Sequence, residues 1–130
     1  MLNKQIITDL ESLTNWQDRY QTIIEAGEAL PVFPEKWQTE QNKVTGCMSN
    51  VWLVANEKNG QFFFHGTSDA MIVKGLIALT LTIANGKTKD QLQQLDFEKT
   101  FASIKLTEHL SQTRRNGFYA LTRKIKNLAK

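Results

Sequence analysis

The sequence has few of the residues and patterns that define several protein classes. It contains one cysteine in 130 residues, which excludes an internal disulfide and a multi-cysteine metal cage. It has only two prolines and seven glycines, which excludes a collagen-like chain. Its longest apolar run, residues 70–84, contains Lys74 and is too short to span a bilayer. Neither sign of charge dominates, since 16 basic residues oppose 13 acidic ones.

What the chain does contain is the composition of an ordinary globular protein. Hydrophobic residues make up 41% and charged residues 22%, and 130 residues suffice for one core. We therefore expect a single domain over residues 1–130. The first residues are not signal-like, because Asp9 and Glu11 follow only a few apolar positions. Together with a free thiol, this predicts a cytoplasmic protein.

Apolar residues at helical spacing predict two main helices in the first two thirds of the chain. Asn15 is a good N-cap for the first, and Pro31 follows its end. The second is expected between Ser68, as its N-cap, and Asn85-Gly86, with Asp69 in its first turn. It is apolar nearly all the way round, which indicates a buried helix. Gly75 within it predicts close packing against a neighbour, since glycine weakens a helix.

Strand signals lie between these helices. Val51–Val54 and Phe62–Phe64 are β-branched and aromatic runs, and Asn59-Gly60 between them is typical of a hairpin turn. A shorter strand is possible at residues 43–45.

Three further helices are predicted after the second main one. The first begins with a capping box formed by Thr88 and Gln91, and Asp96 can cap the next. An apolar stripe at helical spacing marks the last, a C-terminal helix with Phe118, Leu121, Ile125 and Leu128. The fold class is therefore α+β, a small antiparallel sheet covered by helices on one side.

Cys47 is the residue from which chemistry can be argued. It follows Gly46 in a tight connection between candidate strands, so both a buried inert thiol and a reactive one are consistent with its context. A cysteine protease needs a histidine base, and a thiol–disulfide oxidoreductase normally needs a second cysteine. Carrying a persulfide needs only one thiol, which attacks the outer sulfur of a donor persulfide.

Other candidate sites are weaker. His65 and His109 show no metal-ligand spacing. Residues 112–130 hold six bases and no acid, which suits either a helix C-terminus or a face that meets an acidic partner or RNA. The tryptophans are not interleaved with bases, so nucleic acid is not the expected partner. A small cysteine-dependent enzyme and a basic binding module with an inert thiol therefore remain as alternatives to a sulfur carrier.

Three segments resemble one known family, and upstream Asn15-Trp16 and Gln41-Asn42 also fit its pattern. Residues 46–53, GCMSNVWL, resemble the G-C-x-S-x-V-W signature of the SufE family, to which CsdE-type proteins belong. Residues 68–76 are similar to its S-D-A-x-I-V-K-G-L segment, and residues 110–117 to its L-[ST]-P-S-R-x-N-G segment, with Gln112 in place of the proline. The similarity covers roughly residues 13–129 and does not separate SufE-type from CsdE-type.

The resemblance implies a fold similar to that of iron–sulfur scaffold proteins and a role as a sulfur acceptor. Cys47 matches the cysteine that receives sulfur from a pyridoxal-phosphate cysteine desulfurase and so stimulates that enzyme. The sulfur then passes to iron–sulfur cluster assembly or to another acceptor. Pyridoxal phosphate belongs to the partner, and no cofactor or metal is expected here. Gly46, Ser49, Asp69 and Arg114 match positions expected to support the thiol loop or contact the partner.

The neighbours of Cys47 also suggest its resting state. Val44, Met48, Val51 and Trp52 supply apolar cover close to it in sequence. We therefore expect the sulfur to be partly buried in the free protein, and its thiolate to be disfavoured there.

Overall fold

A computed structural model describes residues 5–46, 49–103, 106 and 110–130. Six α-helices and three strands, with one short 3₁₀ turn, are found in this part of the chain. In order they are α1 (Gln5–Ser12), α2 (Trp16–Glu28), the 3₁₀ turn (Glu35–Trp37), β1 (Val51–Lys58), β2 (Gln61–Ser68), α3 (Met71–Ala84), β3 (Lys87–Thr88), α4 (Lys89–Gln94), α5 (Phe97–Ser103) and α6 (Gln112–Leu128). The strands form one antiparallel sheet in the order β1-β2-β3, which confirms the α+β prediction.

The sheet is built on the predicted hairpin. Asn59 and Gly60 have φ angles of 54° and 80°, the left-handed conformation that a two-residue hairpin turn requires. They set a register that pairs Lys58 with Gln61 at the turn and Val51 with Ser68 at the far end. Alternate residues of both strands are buried and form the inner face of the sheet: Val51, Leu53, Phe62 and Phe64.

Helix α3 lies in the middle of the core, against the inner face of β2 on one side and α2 on another. Most of its residues are buried, including Leu76 and Leu79. The prediction that Gly75 marks a close approach is confirmed. A Cβ atom on Gly75 would overlap the carbonyl oxygen of Ile23 in α2 and lie 2.6 Å from the Ile23 Cγ2 atom.

The start of α3 differs from the prediction. The helix begins at Met71, its N-cap is Ala70, and the Ser68 hydroxyl accepts a hydrogen bond from the Ala70 N–H at 3.2 Å. Asp69 therefore precedes the first turn instead of lying in it. The reason is that β2 stays extended as far as Ser68 while the Asp69 carboxylate binds a residue of another segment, Asn50.

The sequence analysis missed two elements, α1 and β3. It also predicted one strand that the structure shows as a single bridge. Helix α1 buries Leu10 fully, and the Arg19 guanidinium donates to the Leu10 carbonyl at 3.2 Å. Strand β3 is only two residues long and exists through its pairing with β2. The strand expected at residues 43–45 is a single bridge between Lys43 and Trp52.

The contact at Gly75 generates a stability prediction. Replacing an exposed helical glycine by alanine stabilises a helix by about 1 kcal/mol. Because the new methyl group would overlap the backbone of Ile23, we expect Gly75→Ala to lower the free energy of unfolding by about 1–3 kcal/mol instead. Urea titration measures this, with Met71→Ala, at an exposed position of the same helix, as the control. A Gly75→Ala variant as stable as the original protein would contradict this packing.

Candidate functional site

The segment that carries the thiol is held at its base by the sheet. Cys47 and Met48 themselves lie outside the described residues. On either side of them, the Val44 N–H donates to the Val51 carbonyl at 2.8 Å, and the Leu53 N–H donates to the Asn42 carbonyl at 2.9 Å. Residues 44 and 51 are thereby fixed as the two ends of a short connection that contains Cys47.

Gly46 occupies a position that favours glycine for two reasons. Its φ angle is 94°, a conformation that residues with a Cβ atom rarely adopt. A Cβ atom there would also lie 3.2 Å from the Cβ atom of Ala120 in α6. Gly46, the residue before the thiol, therefore lies against α6. It adopts a left-handed conformation of the kind that the sequence analysis expected glycine to permit there.

Asp69 is joined to the other side of the thiol segment. Its carboxylate accepts hydrogen bonds from the Asn50 N–H at 3.2 Å and from the Asn50 side-chain amide at 2.9 Å. The Asp69 N–H in turn faces the Asn50 carbonyl at 3.4 Å. These contacts, which we call the Asn50–Asp69 clamp, tie the third residue after Cys47 to the residues that lead into α3.

A mainly apolar cavity of about 320 Å³ lies beside this clamp. Its walls come from the thiol segment, the start of α3 and the start of α6: Ser49, Val51, Ala70, Val73, Leu76, Ile77, Ser111, Thr113, Arg114, Gly117, Phe118 and Leu121. Polar side chains on its lining come from Ser49, Ser111, Thr113 and Arg114. Three segments that are far apart in the sequence therefore meet at one place.

Arg114 borders this cavity near the beginning of α6. Its backbone N–H is capped by the Ser111 hydroxyl at 3.2 Å, and its side chain is exposed. In the described part of the chain, its guanidinium forms no hydrogen bond or ion pair with the thiol segment.

The four described site residues expected from the sequence thus lie around the thiol segment: Gly46, Ser49, Asp69 and Arg114. The sequence analysis missed Asn50, whose amide completes the clamp, because the family signature leaves that position open. It also missed Ser111, although a serine before a helical segment is a recognisable cap.

The remaining candidates lie elsewhere or have no defined site. His65 lies on the outer face of the sheet, with its ring centroid 6.0 Å from that of Trp37, and lines a different cavity. His109 lies outside the described residues.

Among the residues that are described, no group of three or more His, Cys, Asp or Glu side chains is placed to hold a metal ion. Within the same residues, no helix has the length and apolar character needed to cross a membrane.

Structural comparison supports the fold. A hypothetical protein from Thermus thermophilus, whose solution structure is known, superposes with a TM-score of 0.78 over 99% of this chain and 96% of that one. The two sequences are 17% identical, so this likeness concerns the fold alone.

Sequence comparison identifies the family. Uncharacterised SufE-like proteins from Rhizobium meliloti (strain 1021) and Haemophilus influenzae (strain Rd) are 43% and 35% identical to this chain. The alignments cover 96% and 95% of this chain and 92% and 98% of the relatives. The family model described as "SufE: Fe-S metabolism associated domain" matches residues 4–129. The chain therefore belongs to the SufE family, with a role in sulfur transfer and Fe–S metabolism.

Proposed function

We propose that this protein, as one domain over residues 1–130, accepts sulfur from a pyridoxal-phosphate cysteine desulfurase onto Cys47. The bound sulfur then passes to iron–sulfur cluster assembly or to another sulfur acceptor. Removing sulfur from the desulfurase frees that enzyme for another turnover, so the carrier also stimulates it. The cofactor remains on the desulfurase, and the carrier works in the cytoplasm, where its thiol stays reduced.

One observation carries this proposal. The chain's single thiol lies in a segment whose two flanks contact the helices that bear the other two family motifs. Gly46 rests on α6, Asn50 is bound by Asp69, and Arg114 lines the same cavity as Ser49. This convergence supports a site built around Cys47 and argues against an incidental cysteine.

The transfer step needs no group beyond the two thiols. The Cys47 thiolate attacks the outer sulfur of the desulfurase persulfide, and the sulfur–sulfur bond of the donor breaks. The donor cysteine leaves as a thiolate with the bonding electron pair, and Cys47 now carries the persulfide. The proton that Cys47 loses balances the one that the donor thiolate gains, so there is no net oxidation.

The cavity beside the clamp suits the resting form of such a carrier. Its walls are mainly apolar, and Val44 and Val51 at the base of the thiol segment are buried. We propose that the Cys47 sulfur is shielded in this cavity between encounters. An apolar environment disfavours the thiolate and so slows reactions with other thiols and oxidants.

The two alternatives have less support. A small cysteine-dependent enzyme would need a base near Cys47; of the two histidines, His65 borders a cavity on the other face of the sheet, and His109 lies outside the described residues. A basic module for RNA would need an unbroken positive surface, but Arg123 and Lys126 line a shallow depression together with Asp96 and Glu98. Acidic residues therefore interrupt the positive charge along α6.

Cys47→Ser tests the carrier role. The substitution changes little volume, so the fold should be retained, but oxygen cannot hold a persulfide. We expect the variant to lose stimulation of the desulfurase completely, measured as the rate of sulfide or alanine release from cysteine. Matching circular dichroism spectra and unfolding midpoints provide the control for folding. Stimulation that persists in the variant would overturn the proposal.

Asp69→Ala tests the clamp. The variant loses the acceptor for both Asn50 donors, so we expect the thiol segment to loosen and Cys47 to react several-fold faster with iodoacetamide at neutral pH. Asp90→Ala removes the same charge from another exposed position and should leave the alkylation rate unchanged. Equal rates in the Asp69→Ala variant and the original protein would show that the clamp does not restrain the thiol segment.

A further inference from the structure

The sheet has a free edge along the second half of β1. The order β1-β2-β3 makes β1 an outer strand, and residues 42–44 cover only its first half. There the Leu53 N–H points away from β2 and donates to the Asn42 carbonyl. Because the backbone groups of a strand alternate in direction, the N–H and C=O groups of Ala55 and Glu57 also point away from β2. Within the described part of the chain, nothing forms a hydrogen bond with these groups.

This edge is accessible to another strand. The four residues from Ala55 to Lys58 are exposed. A groove of about 700 Å³ borders the edge, and its other walls come from Trp37 and Asn42 on one side and from Lys124 in α6 on the other. Unpaired strand edges bind extended chains through the backbone, and their charged side chains restrict which chain can pair. An occupant of this edge must therefore match its charges.

Lys124 and Glu57 are the charges that decide the match. Lys124 is half-buried and lines the groove together with Ala55. Among the described residues, neither Lys124 nor Glu57 has an ion-pair or hydrogen-bond partner. Alternate residues of a strand share one face, so Glu57 projects from the same face of the sheet as Ala55. An incoming strand that places a carboxylate opposite Ala55 would therefore bring it to Lys124.

We propose that this edge pairs with β1 of a second copy of this chain, antiparallel and about a two-fold axis at Asn56. In that register Ala55 of one copy lies opposite Glu57 of the other, and the two residues exchange both backbone hydrogen bonds. The symmetry repeats this pair on the other side of the axis. Each Glu57 carboxylate then faces Lys124 of the other copy, and the two Asn56 amides lie opposite each other. Both unpaired charges and all four free backbone groups thereby find partners.

The neighbouring registers fit less well. In one of them Glu57 lies opposite Glu57 of the other copy, and like charges directly opposite each other destabilise a strand pair. In the other, Glu57 lies opposite Leu53, whose N–H already donates to Asn42. The free groups and the charges therefore select the register centred on Asn56.

This pairing leaves both thiol segments accessible. From Asn56 to Val51 the strand runs for roughly 17 Å, at about 3.4 Å per residue. Because the strands are antiparallel, the two segments that contain Cys47 lie at opposite ends of the joined sheet. The dimer is therefore independent of the proposed sulfur transfer, and its edge lies apart from the thiol segment.

Charge reversal on each side of the interface tests the dimer. Glu57→Lys and Lys124→Glu each bring like charges together, so we expect each to raise the dissociation constant at least about tenfold. The double variant exchanges the two charges and should restore the dimer. Lys89→Glu makes the same charge change at an exposed position in α4 and should have no effect. Sedimentation equilibrium of the full chain from about 5 μM to about 1 mM measures the four variants and the original protein.

A substitution of the backbone separates strand pairing from a purely electrostatic contact. Ala55→Pro removes an N–H that points away from β2, a position where an edge strand tolerates proline. We expect this variant to remain monomeric while its circular dichroism spectrum matches that of the original protein.

Two results would overturn the proposal. If the original protein is monomeric over the whole range, the edge does not bind a second copy, whether or not it binds an extended segment of another protein. If the original protein dimerises and both charge reversals leave the dimer intact, the contact lies elsewhere. Stimulation of the cysteine desulfurase by Glu57→Lys should equal that of the original protein. A loss of stimulation in the original protein itself would therefore contradict the proposed function and not the dimer.

Discussion

The close contact between α2 and α3 is the constraint on which the rest of the structure depends. The two helices approach so closely that a Cβ atom on Gly27 would lie 2.6 Å from the Gly75 backbone nitrogen, and one on Gly75 would overlap Ile23. This contact fixes α3 between α2 and the sheet. The N-terminal end of α3 is thereby held beside the thiol segment, where Asp69 can bind Asn50. The packing of Gly75 in the core thus determines the position of the Asn50–Asp69 clamp, which lies more than one helical turn before it.

The site is a meeting of three segments, and each is held in place by a different kind of interaction. Backbone hydrogen bonds at Val44 and Leu53 fix the base of the thiol segment on the sheet. The left-handed conformation of Gly46 turns the chain onto α6. Side-chain hydrogen bonds from Asn50 to Asp69 join the segment to α3. Since the clamp is exposed, its hydrogen bonds compete with water and contribute little to stability. It can therefore restrain the thiol segment without locking it.

The sequence predicts those parts of the fold that local signals determine. The Asn59-Gly60 turn, the caps at Asn15 and Thr88, and the buried α3 all follow from turn chemistry, capping and periodicity. The predicted start of α3 was wrong because the backbone of Ser68 remains in β2 and the carboxylate of Asp69 accepts hydrogen bonds from Asn50. Helix α1 was missed although Ile6, Leu10 and Leu13 recur at helical spacing and pack on the core, so a readable local signal was overlooked there. Motifs singled out the candidate residues, but only the fold shows that Asp69 binds Asn50 and that Arg114 lines the same cavity as Ser49.

The central claim is that Cys47 receives sulfur, and intact-protein mass spectrometry tests it most directly. The protein is incubated with the cysteine desulfurase, pyridoxal phosphate and cysteine, and its mass is measured before and after reduction. The account predicts a gain of one sulfur atom, located on the peptide that contains Cys47 and removed by a thiol reductant. An unchanged mass, under conditions in which the desulfurase itself carries a persulfide, would contradict it.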